Sequence, residues 1–125
     1  GQLRMQCKAR RKAETDLSIY IKMRRLISER GGKQRFRQYG ADEFDVLIAC
    51  MIRAEDGSCR CFWTIPMKEL EDRGLVGQKK STSCLTLWHP SGNPRTRASR
   101  VAQQWQTKYF FDPLKLLEAE SERDR

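Results

Sequence analysis

Two polar residues near the start of the chain, Gln6 and Lys8, have the spacing to act together on a phosphate. The segment Leu3-Arg4-Met5-Gln6-Cys7-Lys8 alternates strictly between apolar and polar residues, which is the period of a half-buried strand. Leu3, Met5 and Cys7 fall on one face, and Arg4, Gln6 and Lys8 on the other. Side chains two residues apart on a strand point the same way. The Gln6 amide oxygen would help hold a divalent cation. The Lys8 ammonium would neutralise charge developing on a phosphodiester or orient an attacking water. On this patterning the polar face meets solvent, and Cys7 is buried and inert. The same two residues also suit an ordinary solvent-facing strand, so their surroundings must decide.

Those surroundings are cationic. The 125 residues hold 25 Lys and Arg against 16 Asp and Glu, a formal net charge of +9. The whole excess sits in residues 1–40, where twelve cations face three acids. A localised positive field of that kind draws polyanions by counterion release. Arg4, Arg10, Arg11 and Lys12 surround the Gln6–Lys8 pair, and Lys33, Arg35 and Arg37 interleave with Phe36 and Tyr39. That mixture suits phosphate contacts with base stacking. Lys22, Arg24, Arg25 and Arg30 add to it, and Arg95, Arg97 and Arg100 form a third cluster. DNA is the expected partner and RNA the alternative. No apolar run is long enough to span a bilayer and no stretch has a secretory layout, so no membrane partner is expected. A homodimer fits the pattern but is not legible in it.

The five cysteines, Cys7, Cys50, Cys59, Cys61 and Cys84, are odd in number and scattered. They argue for a reducing, intracellular compartment (nucleus or cytoplasm) rather than a disulfide framework. Cys59, Cys61, Cys84 and His89 would make a zinc set, but the two-residue knuckle spacing is absent and zinc is not expected. Cys59 and Cys61 share a face of their strand on this reading. His89, before a proline in a loop, reads as structural.

The elements that must position these residues can be read along the chain. After the first strand and the basic run Lys8 to Lys12, Thr15 or Asp16 caps a helix over Leu17–Arg30, with Leu17, Tyr20, Ile21, Arg24 and Ile27 as its stripe. Gly31-Gly32 ends it. Phe44 to Ile52 reads as a central strand, and Cys59 to Ile65 as the second arm of a hairpin. Pro66 starts a short helix that Gly74 stops. Thr82 to Trp88 is a strand, Arg97–Lys108 a helix, and Asp112-Pro113 the capped start of a last helix before a charged tail. The expected class is α/β (α+β): a central mixed sheet flanked by helices, one domain over residues 1–111, and a helix and tail over 112–125.

Residues 3–66 resemble the second half of the PD-(D/E)XK nuclease superfamily. Leu3-Arg4-Met5-Gln6-Cys7-Lys8-Ala9-Arg10 is similar to the strand bearing that family's last E-x-K motif, in the variant with glutamine for glutamate. Tyr39-Gly40-Ala41-Asp42-Glu43-Phe44-Asp45-Val46-Leu47-Ile48 resembles the return into the next core strand, and Phe62-Trp63-Thr64-Ile65-Pro66 the strand that ends on proline. The resemblance implies a restriction-endonuclease-like fold lacking its N-terminal elements, and cleavage of DNA phosphodiesters with Mg²⁺. It casts Gln6 and Lys8 as catalytic, with Gln6 and the Cys7 carbonyl as metal ligands. The family also needs an aspartate on the preceding strand, but only five residues precede Gln6 and none is acidic. A hard cation wants carboxylates. Asp45 and Glu14 are the conceivable substitutes. Three expectations therefore stand: an endonuclease completed by upstream residues, a nucleic-acid-binding or assembly module that does not cut, or a protein-interaction domain whose basic face meets an acidic partner.

Overall fold

The computed structural model describes residues 2–77, 84–115 and 117. Its elements are β1 (Met5–Lys12), β2 (Ser18–Lys22), β3 (Arg24–Arg30), β4 (Lys33–Gln38), β5 (Val46–Arg53), β6 (Cys59–Pro66), α1 (Met67–Asp72), β7 (Cys84–Trp88), α2 (Arg97–Thr107) and β8 (Phe110–Phe111). The central sheet has the order β1-β5-β6-β8. β1 runs parallel to β5 and the other neighbours are antiparallel, so the sheet is mixed, as expected. Two ribbons complete the strands, β2 with β7 and β3 with β4.

The core lies on one side of the central sheet. Leu47, Ala49 and Met51 of β5 and Cys61, Trp63 and Ile65 of β6 are all buried there. Ile19 and Ile21 of β2 and Leu85 and Leu87 of β7 join the same cluster, together with Tyr39, Phe44, Leu70 and Trp105. Each of the leucine, isoleucine, methionine and phenylalanine side chains contributes about 1.5–3 kcal/mol by leaving water. α2 closes the structure through two glutamines. Gln106, fully buried, accepts a hydrogen bond from the Trp88 amide and donates to the Thr86 carbonyl. Gln103 donates to the carbonyls of His89 and Gly92. These amides satisfy backbone groups of β7 and the loop after it.

Several terminators act as expected. Pro66 stands at the start of α1, and Gly74 follows its end with φ 71°, a backbone angle that glycine adopts without strain. The Thr96 hydroxyl caps α2 by accepting from the Ser99 amide. The Asp112 carboxylate accepts from the Leu114 amide at the start of the last helical turn. Most of the expected charged tail lies outside the described residues. Among those described, no helix is long and apolar enough to cross a membrane.

Three expectations are corrected. The segment expected as a helix over Leu17–Arg30 is two strands, β2 and β3. Ile19, Ile21 and Met23 are buried while Tyr20 and Lys22 are exposed, a period of two that overrides the three-to-four spacing. The second correction concerns the faces of β1. Gln6 pairs in register with Leu47 and Lys8 with Ala49, which turns both toward the core side. Cys7 and Met5 pair with Ile48 and Val46 on the opposite side, and both are exposed. Long amphipathic side chains can be half-buried at a sheet edge while their polar ends reach out. The third concerns Cys59 and Cys61. A bulge in β6 opposes Cys61 to Met51 and Cys59 to Ile52, so the two cysteines lie on opposite faces.

Candidate nucleic-acid interface

One compact group of unneutralised cations lies on the β3–β4 arm. Met23, buried, marks the point where β2 leaves the core and β3 begins. Arg25, Leu26 and Ile27 are then exposed in succession, so both faces of the ribbon are open to solvent at this level. The arm reverses at Gly31 and Gly32, whose φ values are 58° and 77°. Positive φ at both central residues is the mark of the type I′ hairpin turn, which matches the twist of the strands it joins. The glycine pair therefore turns a hairpin; it does not stop a helix.

Strand register sorts the side chains of the arm. Arg25 lies opposite Arg37, Ser28 opposite Arg35, and Arg30 opposite Lys33. Arg37, Arg35 and Lys33 are two apart on β4, so all six residues share one face. The other face carries Leu26 opposite Phe36, with the Arg24 guanidinium 3.8 Å from the Phe36 ring centroid. Five cations thus line one side of a two-stranded ribbon.

The root and the tip of that face differ in electrostatics. At the root, Glu43 accepts two hydrogen bonds from Arg37, at 3.1 and 3.2 Å, one from Arg25, and one from the Gly40 amide at 2.5 Å. These donors, Arg37 foremost, hold the Glu43 carboxyl down at about 2. Arg25 and Arg37 are thereby fixed to the body of the protein. At the tip, Ser28, Arg30, Lys33 and Arg35 line a cleft of about 260 Å³. Among the described residues no carboxylate pairs with Arg30, Lys33 or Arg35. Three cations and a hydroxyl around one concavity supply the donors that phosphate oxygens take.

The residues singled out from the sequence divide accordingly. Lys33 and Arg35 lie in the tip cleft. Arg37 belongs to the same face but is held by Glu43. Arg4 is taken up by structure: its amide donates to Asp45 at 2.8 Å, and its guanidinium reaches Asp45 and the Asp42 carbonyl. Those contacts also hold Asp45 below the usual carboxylate range, so Asp45 is not a spare ligand for Gln6. Glu14 is likewise engaged, with Arg53 at 2.7 Å and Arg60 at 3.5 Å. Arg10, Arg11 and Lys12 continue along the sheet edge with no carboxylate partner among the described residues. Arg95, Arg97 and Arg100 are exposed around the start of α2.

Gln6 and Lys8 are brought side by side on β1, with the Lys8 ammonium 5.3 Å from the Tyr39 ring centroid. A neutral amide and the Cys7 carbonyl are poor donors for Mg²⁺, which favours anionic oxygens. Among the described residues no group of three or more His, Cys, Asp or Glu side chains is placed to hold a metal ion. The donors present do not fit that cation. Cys7 is exposed, whereas burial pushes the Cys61 thiol up to about 12 and Cys50 to about 11. His89 accepts from the Ser91 amide through Nδ1 and packs edge-on against Phe110. Burial, with Arg60 nearby, lowers its pKa, so it is neutral at pH 7.

Sequence reasoning passed over Ser28, Arg30 and Glu43 as parts of one site. The signal that would have found them is the pattern Arg30-Gly31-Gly32-Lys33, two glycines between residues of β-compatible alternation.

Fold and site together define a mixed α/β domain bearing a cationic β-ribbon. No protein-family model matches the chain, and no curated protein matches it. Among solved structures the chain is similar to the crystal structure of MepB, with a TM-score of 0.63 and 17% sequence identity. The superposition covers 86% of this chain and 70% of that one. At that identity the likeness speaks for the fold alone.

Proposed function

We propose that this chain is a nucleic-acid-binding domain that holds phosphates through the β3–β4 arm, with DNA as its ligand. The observation that carries the reading is the tip cleft, where Arg30, Lys33 and Arg35 converge without a carboxylate partner among the described residues. Mutual repulsion of three cations is a cost that an arm serving only as scaffold has no reason to bear, and a polyanion relieves it. Arg10, Arg11 and Lys12, on the edge strand β1, add cations outside the arm.

A restriction-endonuclease-like form of the sheet is part of the proposal. It is supported by the parallel pairing of β1, which carries Gln6 and Lys8, with the apolar strand β5. Binding without cleavage is the favoured version, because Asp45 and Glu14 are both already engaged by arginines, Asp45 by Arg4 and Glu14 by Arg53 and Arg60. The test is equilibrium binding of a duplex of about 20 base pairs across a salt series. Each phosphate contact adds about 0.9 to the slope of log affinity against log salt. A slope of 3 or more agrees with the proposal. No binding at low salt, or a slope near zero, overturns it.

A further inference from the structure

Ile27 is at odds with its surroundings. It is 53% exposed, on an arm where six of the fifteen residues from Arg24 to Gln38 are arginine or lysine, and Leu26 beside it is 44% exposed. It is also the extra residue of a β-bulge, because the register steps from Leu26↔Phe36 to Ser28↔Arg35 and leaves Ile27 without an opposing partner. A bulge re-aims a side chain and sharpens the local twist. Packing within the chain does not account for an apolar residue that is half exposed and outside the ladder.

The cations around it supply the context. Ser28 and Arg35 flank the bulge directly, with Arg30 and Lys33 beyond it toward the turn and Arg25 before it. An apolar side chain set among phosphate-binding cations is the arrangement that minor-groove wedge proteins use. Side chains of this type enter between base pairs from the minor groove, partly unstack the step and kink the duplex. Unstacking a step is costly, and burying an isoleucine side chain offsets much of that cost.

On the nucleic-acid reading above, on which this rests, we propose that Ile27 is a wedge: the arm binds duplex DNA by inserting Ile27 at one base step while Ser28, Arg30, Lys33 and Arg35 hold the phosphates on either side. The ligand class is then bent duplex DNA, with flexible pyrimidine–purine steps preferred because they unstack most easily. A ribbon that merely lay on the backbone would leave the DNA straight.

The test uses the full chain and a duplex of about 30 base pairs with 2-aminopurine at a single TA step and a donor and acceptor dye at its ends. Binding, bending and unstacking are read from the same sample. The wild type is expected to raise both 2-aminopurine fluorescence and energy transfer on binding. Ile27→Ala and Ile27→Thr lose both signals and about tenfold in affinity, and keep the salt slope because no charge is removed. Threonine keeps the β-branched shape that favours a strand, so its failure reports the lost apolar surface and not a disordered arm. Ile27→Val retains both signals. A wild type that binds with a steep salt slope but leaves the duplex straight and stacked overturns the wedge while sparing the nucleic-acid reading. Equal signals from wild type and Ile27→Thr also overturn it. Absence of binding at low salt overturns the reading itself and the wedge with it.

Discussion

Replacing Arg30, Lys33 and Arg35 together by alanine is expected to remove most of the salt-sensitive part of DNA binding. All three line the tip cleft and no carboxylate pairs with them among the described residues, so each is available to a phosphate. Three lost contacts lower the slope of log affinity against log salt by about 2.7. Between 50 and 200 mM salt that changes the fall in affinity by about fortyfold, well outside the error of a titration. Folding should be little affected. The three residues are exposed, and relieving their repulsion acts in favour of the folded arm. The matched control is Arg95→Ala/Arg97→Ala/Arg100→Ala, which removes the same charge near the start of α2. If both triple variants shift the slope equally, the binding is a diffuse charge effect and the arm is not the site.

The second large effect is on stability and concerns Glu43. Its carboxyl is held at about 2 by Arg37, with the Gly40 amide and Arg25 adding to it, against an unperturbed 4.5. A group with a lowered folded pKa stabilises the fold fully above its unfolded pKa and loses that contribution as pH falls through the folded one. The window here is pH 4.5 down to 2. The full shift corresponds to about 3 kcal/mol, and screening of the two half-exposed guanidinium groups reduces this to about 2 kcal/mol. Glu43→Gln is therefore expected to cost about 2 kcal/mol at pH 7 in urea unfolding. The gap between variant and wild type should narrow steadily from pH 4.5 downward. A gap that stays constant to pH 2.5 would mean that the Glu43 charge does not clamp the arm.

The way these parts were legible, or not, follows from their physics. β5 and β6 were readable because Phe44 to Ile52, broken only by Asp45, and Cys59 to Ile65, broken by Arg60 and Thr64, are mainly apolar runs separated by a turn signal, and burial on the sheet demands that composition. The short helix after Pro66 and the helix over Arg97–Thr107 were readable from their terminators. β2 and β3 were not, because Leu17, Tyr20, Ile21, Arg24 and Ile27 match a helical stripe as well as Ile19, Ile21 and Met23 match a strand. Local pattern is ambiguous there, and pairing with β7 at a separation of some seventy residues decides it. The same limit applies to β1. Alternation identified the strand, but only its register against β5 determines which face turns inward.

The candidate site shows a similar division. Lys33, Arg35 and Arg37 were legible as one basic stretch, and their spacing of two does put them on one face. Which of the three is available to a phosphate depends on Glu43, a residue the sequence places six positions past Arg37 without hinting that its carboxyl folds back. Arg4 shows the same thing from the other side: its charge is plain in the sequence, and its commitment to Asp45 is not. Composition reports how many cations there are, and only the fold reports which ones already have a partner.

The most direct test of the central claim is an amide chemical-shift titration of the labelled chain with a short DNA duplex. The account predicts that the largest shifts fall on residues 24–38, centred on Ser28, Arg30, Lys33 and Arg35, with a weaker set on Arg10 to Lys12 and little change around His89 or along α2. Shifts concentrated away from the β3–β4 arm, with that arm unmoved at saturating DNA, would contradict it.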